Sequence, residues 1–179
     1  MFGDSTLVNT TGDYNLAMGK SAFKSNTTGI SNVGLGTFVS YKSTSGSYNV
    51  GIGGSSLLAN LTGSQNIALG AFSLYNATNP QRVTAIGTGA LFNYNHNVSG
   101  AIAIGNYVGY NTTGGNNTQI GSGSITVPNR GITTGASNVV VTTQAAAINV
   151  RTGNYNTYLG GSLPDSDVAD KSKQVIIAD

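Results

Sequence analysis

The chain has 179 residues, only 8% of them charged, and a formal net charge of +2. Soluble domains carry about 25% charged residues, so this is not the surface of an ordinary globular enzyme. The basic residues are scattered rather than clustered, which argues against a phosphate-binding patch and a nucleic-acid partner. With no Cys and a single His, the chain has neither disulfide staples nor thiolate metal sites.

One pattern recurs from the start. It reads Asn15-Leu16-Ala17-Met18-Gly19, then Asn32-Val33-Gly34-Leu35-Gly36, Asn49-Val50-Gly51-Ile52-Gly53 and Asn66-Ile67-Ala68-Leu69-Gly70. The closing glycines Gly19, Gly36, Gly53, Gly70 and Gly87 are evenly spaced along the chain. Looser copies close at Gly105, Gly121 and Gly160, and Thr142 takes the glycine place in another. A short fixed period is the signature of a solenoid. The expected fold is all-β, a parallel β-roll or β-solenoid with coils of about 17 residues.

Each unit opens with alternating apolar residues, such as Leu16/Met18, Val33/Leu35, Val50/Ile52, Ile67/Leu69 and Ile102/Ile104. Alternation predicts a short strand with these side chains on one face, here expected to be the inner one. The residue between them is small (Ala17, Gly34, Gly51, Ala68, Ala85, Ala103) and is assigned to a flat outer face; later it becomes Gln119, Val140 and Tyr158. After the glycine comes a second apolar cluster, as in Ala22-Phe23, Phe38-Val39 and Leu57-Leu58. It predicts a second, less regular strand. Polar turns such as Asn26-Thr27-Thr28-Gly29 close the coil, with Gly expected to supply a positive φ.

In-phase Asn15, Asn32, Asn49 and Asn66 predict an amide ladder along the rod, interrupted where Val83 and Ala101 replace Asn. Nine coils at about 4.8 Å each give a rod about 43 Å long. A thin roll has a poor surface-to-volume ratio. The large residues Phe23, Tyr41, Leu58, Tyr75, Phe92 and Tyr110 recur near the second cluster and are expected to seal the roll against a partner chain. The expected partner is the chain itself, most simply in a homotrimer.

The regular roll spans 1–121. An irregular continuation covers 122–162, starting with a stretch that contains Val127-Pro128-Asn129. Residues 163–179 read as a neck leading to a further module, and Gln174–Asp179 as a strand cut short. No run reaches the roughly 18 apolar residues of a membrane span, so no membrane insertion is expected. The first residues lack the charged and apolar regions of a signal peptide.

The Asn-x-Ala-Ile-Gly type of unit, carried by Thr11-Gly12-Asp13-Tyr14-Asn15-Leu16-Ala17-Met18-Gly19 and its successors, resembles the left-handed parallel β-roll of trimeric autotransporter adhesin heads. Its Thr-Thr-Gly rhythm is similar still more closely to repeats of bacteriophage tail fibres. The resemblance covers residues 5 to 121 well and 132 to 160 loosely. It implies a left-handed homotrimer with a surface role, located on a virion or a cell surface, and partnered by other fibre or tail proteins. It transfers no catalytic residues.

No catalytic, cofactor or metal site is expected. His96 has no second His to share a metal. Asp165, Asp167 and Asp170 lack the turn glycine and bidentate Glu of an EF-hand loop and are followed by two lysines. No Asp or Glu lies between residues 14 and 164, which argues against a paired-carboxylate hydrolase. The glycines Gly19, Gly36, Gly53 and Gly70 are read as structural rather than phosphate-binding. Tyr14, Tyr48, Tyr94 and Tyr107, with Tyr155, stand among amides and hydroxyls and are the candidate contacts for a host surface glycan. The expected function is a structural and adhesive segment of a trimeric surface fibre, foremost a phage tail fibre in host attachment. The alternatives are the head of a bacterial trimeric adhesin and, from another class, a β-solenoid polysaccharide depolymerase module.

Overall fold

Ten short strands form one parallel sheet in strict chain order. They are β1 (Leu16–Met18), β2 (Val33–Leu35), β3 (Val50–Ile52), β4 (Ile67–Leu69), β5 (Thr84–Ile86), β6 (Ile102–Ile104), β7 (Thr118–Ile120), β8 (Val139–Thr142), β9 (Thr157–Gly160) and β10 (Val175–Ala178). The computed structural model describes residues 3–7, 10–94, 99–122, 135–142, 153–160 and 172–178. The irregular stretch around Pro128, His96 and the Asp165/Asp167/Asp170 group lie outside these residues.

Register follows the repeat: Leu16 pairs with Val33, Val33 with Val50, and Val50 with Ile67. A strand pairing only with its own counterpart one coil away defines a β-solenoid, as the period required. The longer spacing from Thr118 to Val139 leaves the register intact. Residues Val175–Ala178, set apart in the sequence as part of a neck, pair with β9 as the tenth strand of the same sheet.

The faces of the strands are the reverse of the sequence expectation. The small central residues Ala17, Ala68, Ala85 and Ala103 are fully buried, while the flanking Leu16, Met18, Ile52, Ile67, Ile102 and Ile104 are exposed. The reason is thickness. Across the coil, the large buried side chains come from the third and fourth residues after the closing glycine, including Phe23, Val39, Leu57, Leu74 and Leu91. A Cβ added to Gly34 would collide with the Phe23 ring, and one on Gly51 would lie 2.6 Å from Val39 Cγ1. Through β6 the interior accepts one large residue per layer and the strand turns its small residue inward; from β7 on the inward residue is Gln119, Val140 or Tyr158, each buried.

The second apolar cluster is not a strand. Its second and fourth residues after the glycine have left-handed backbones, as at Ser21 (φ 56°) and Phe23 (φ 50°), or Phe72 (φ 58°) and Leu74 (φ 50°). Two tight turns follow one another: Ser56 N–H donates to Gly53 O at 3.2 Å and Asn60 N–H to Leu57 O at 3.0 Å. Left-handed backbone costs roughly 1–2 kcal/mol per non-glycine residue. It is offset by bonds between coils, such as Phe23 N–H to Val39 O at 2.9 Å and Leu57 N–H to Ser73 O at 2.9 Å.

The glycines of the polar turns serve a different purpose from the one expected. Gly12, Gly29, Gly46 and Gly63 do not adopt left-handed φ. They are glycine because each sits against the next coil: a Cβ on Gly29 would strike the Gly46 carbonyl and stand 2.5 Å from Asn26 Oδ1. The closing glycines need both conditions, with φ of 126° at Gly19 and 136° at Gly36 and the next glycine's backbone directly beneath.

Candidate functional site

Asn32 is held in the ladder from both sides. Its backbone N–H and its Nδ2 both donate to Asn15 Oδ1 at 3.0 Å, and Nδ2 also donates to Gly46 O at 2.8 Å. Asn49 repeats this against Asn32, and Asn66 against Asn49. Thus each amide satisfies buried backbone groups that a thin coil could not otherwise pair. Asn66 Oδ1 still accepts the Val83 N–H at 3.0 Å, but Val83 and Ala101 pass nothing on. The ladder restarts at Asn117 and runs through Asn138, whose N–H and Nδ2 donate to Asn117 Oδ1 at 2.9 and 3.1 Å. These side chains, with the closing glycines, build the rod; buried as they are from Asn32 onward, they do not meet a ligand.

The outward face of the sheet is different. Leu16, Met18, Ile52, Ile67, Ile102, Ile104, Val139, Val141 and Leu159 are each between 36% and 45% exposed. They belong to two rows running from β1 to β9, one apolar throughout from Met18 to Leu159 and the other interrupted by Thr84, Thr118 and Thr157, beside β10 where Val175 and Ile177 are still more exposed.

The candidate glycan tyrosines separate. Tyr14, Tyr48 and Tyr155 precede the ladder Asn, have left-handed backbones, and stand 87%, 56% and 65% exposed. Tyr94 is fully buried and cannot contact a glycan. It packs in one core cluster with Val83 and Ala101, the two apolar residues that replace ladder amides. Its hydroxyl has no hydrogen-bond partner among the described residues, and burial pushes its pKa well above the ordinary phenol value.

Tyr107 belongs to a surface cleft of about 330 Å³ lined by Phe72, Tyr75, Phe92, Tyr107 and Tyr110. Tyr75, Phe92 and Tyr110 each stand fifth after a closing glycine and stack coil on coil, with ring centroids 4.7 and 4.8 Å apart and planes within 13° and 9°. Phe72 meets Tyr75 edge-on at 61°, and Tyr107 tilts 52° from Tyr110. Between Phe72 and Tyr107 in the row is Gly89, over which the Tyr107 ring leans: a Cβ there would lie 2.5 Å from it. Phe23, grouped with these aromatics in the sequence, instead fills the core. The sequence signal for the stack was the near-even spacing of Tyr75, Phe92 and Tyr110, in step with the coil. Beside the rings runs a second amide ladder, Asn76 Nδ2 to Asn93 Oδ1 at 2.6 Å and Asn93 Nδ2 to Asn111 Oδ1 at 2.8 Å.

Among the described residues no three His, Asp or Glu side chains come together as a metal site, and no helix is long and apolar enough to cross a membrane. Searches against protein-family models, curated proteins and solved structures find no match to the chain.

Proposed function

We propose that this chain is a structural and adhesive segment of a homotrimeric surface fibre, foremost a phage tail fibre in host attachment. The observation that supports it is the continuous apolar row from Met18 to Leu159 on the outward face of the sheet, with a second row beside it broken by three threonines. An apolar stripe running the length of a rod is the mark of a surface that another chain covers. The rows are as regular as the strands, so a covering partner must share their spacing of about 4.8 Å, and another copy of the same roll does. Copies related by an axis parallel to the rod all point the same way, as a fibre requires. The number three follows from the resemblance to adhesin heads and tail fibres.

The seam of the trimer on this reading is the strand face, in place of the aromatics first expected to form it. The head of a bacterial trimeric adhesin is the second reading, favoured by the same rows. A depolymerase has little support, since acids are lacking between residues 14 and 164. The test is the solution mass of the chain, expected to be three times the 18.1 kDa of a single copy. A folded monomer would remove the reading.

A further inference from the structure

The geometry points to the cleft of Phe72, Tyr75, Phe92, Tyr107 and Tyr110 as a binding site for neutral pyranose units of a surface glycan. It deepens the adhesive part of the proposed function and rests on it for its setting, but the cleft is formed within one chain.

The walls of the cleft are local, which separates it from a seam between copies, while its floor of Tyr75, Phe92 and Tyr110 continues the row of Tyr41 and Leu58. A seam uses the same rows along the whole rod, as the aliphatic rows do. Here the second residue after each closing glycine reads Ser21, Phe38, Ser55, Phe72, Gly89 and Tyr107, so the wall aromatics stand two coils apart with a glycine between them. The missing side chain lets the Tyr107 ring lean over Gly89, where a Cβ would lie 2.5 Å from it. Concave sites lined by aromatics, with a few convergent polar groups, are the usual form of small-ligand sites.

The chemistry selects the ligand. All five lining residues are aromatic and three carry a phenol hydroxyl, so the site offers ring surface and neutral hydrogen-bonding groups but no charge. An anionic ligand would lose hydration there without gaining a partner; a quaternary ammonium would meet the ring faces but has no hydroxyls for the phenols and amides. A pyranose suits both halves. Its C–H face is attracted to the negative ring faces of Phe72 and Tyr107, which stand oblique to the stack. Its hydroxyls meet the phenols and the adjoining amides of Asn76 and Asn93. Asn76 is exposed, and an Asn side chain has two donor hydrogens and two acceptor lone pairs, more than the ladder uses.

The test titrates the full chain with cellohexaose, maltohexaose and the hexamer of N-acetylglucosamine, followed by saturation-transfer NMR and by the ring-proton shifts of the unmodified protein. At least one saccharide is expected to bind and to shift Tyr107 and Tyr110 ring signals. Phe72→Ala and Tyr107→Ala are expected to weaken binding at least tenfold, and Phe38→Ala, at the same coil position outside the cleft, to leave it unchanged. Three results would each overturn the assignment: no binding of any of the three by the intact chain, binding that moves no cleft ring signal, or cleft variants that lower the mass of the assembly. A trimer that binds no saccharide would refute the cleft alone, and a monomer that binds one would refute the trimer alone.

Discussion

Gln119 enters the core beside Gly109, in a coil whose large inner turn residue is Val108. A Cβ on Gly109 would lie 3.1 Å from Gln119 Nε2 and 2.8 Å from Leu91 Cδ2, at a backbone φ of 64°. The amide is not orphaned, because Nε2 donates to Thr112 Oγ1 at 2.9 Å. Gly109→Ala is therefore expected to destabilise the fold by about 2–3 kcal/mol, combining overpacking with left-handed strain. Thermal melts of the single variant and of Gly109→Ala with Gln119→Ala check it; the double variant should recover part of the loss.

Asn49 sits mid-ladder, donating to Asn32 Oδ1 and Gly63 O and accepting from the Asn66 N–H and Nδ2. Asn49→Ala leaves several buried groups unpaired and should cost about 2–4 kcal/mol. Asn15, at the first rung and only half-buried, should cost less when changed to Ala. Denaturant titration of both variants measures the difference.

Tyr94 gives an alkaline signature. Burial holds its pKa above the ordinary 10.0, so above that pH the unfolded chain releases a proton that the folded chain keeps. Its stability contribution is complete below pH 10.0 and is lost as pH rises past it. Tyr158 shifts in the same direction for the same reason. Tyr94→Phe should flatten the fall in stability above pH 10.0 without abolishing it. At neutral pH it should be neutral or stabilising by up to about 1 kcal/mol, since the hydroxyl has no partner among the described residues. Urea melts across the pH range test both statements.

Ile67 stands 40% exposed in the middle of the outward face. Ile67→Lys leaves the single-chain core untouched, so the circular dichroism of the variant should match the parent. Its assembly should fail, because a lysine would be buried without a partner in the seam. Sedimentation of variant and parent side by side tests it; an unchanged mass would place the seam elsewhere.

The coil length, the strand before each closing glycine, the register and the ladder from Asn15 to Asn66 were legible, because each follows from a period that survives in single residues such as Gly36 and Asn49; the rungs at Asn117 and Asn138 were not read, because the spacing drifts there. Orientation was not. Alternation places Val33 and Gly34 on opposite faces but does not say which face is the core, and the usual rule that large aliphatics point inward fails in a coil this thin. The turn segment was misread for the opposite reason: Ala22 and Phe23 are consecutive rather than alternating, which already argued against a strand. Tyr94 was legible by phase, since it falls in the same place of its coil as the buried Asn26 and Asn60. The cleft was not legible, because it depends on the side chain that Gly89 lacks.

The most direct test of the central claim, that the aliphatic rows are covered by other copies of this chain, is its mass in solution by light scattering after size exclusion. A single species of three times the 18.1 kDa chain mass is expected. A folded species of 18.1 kDa would contradict it.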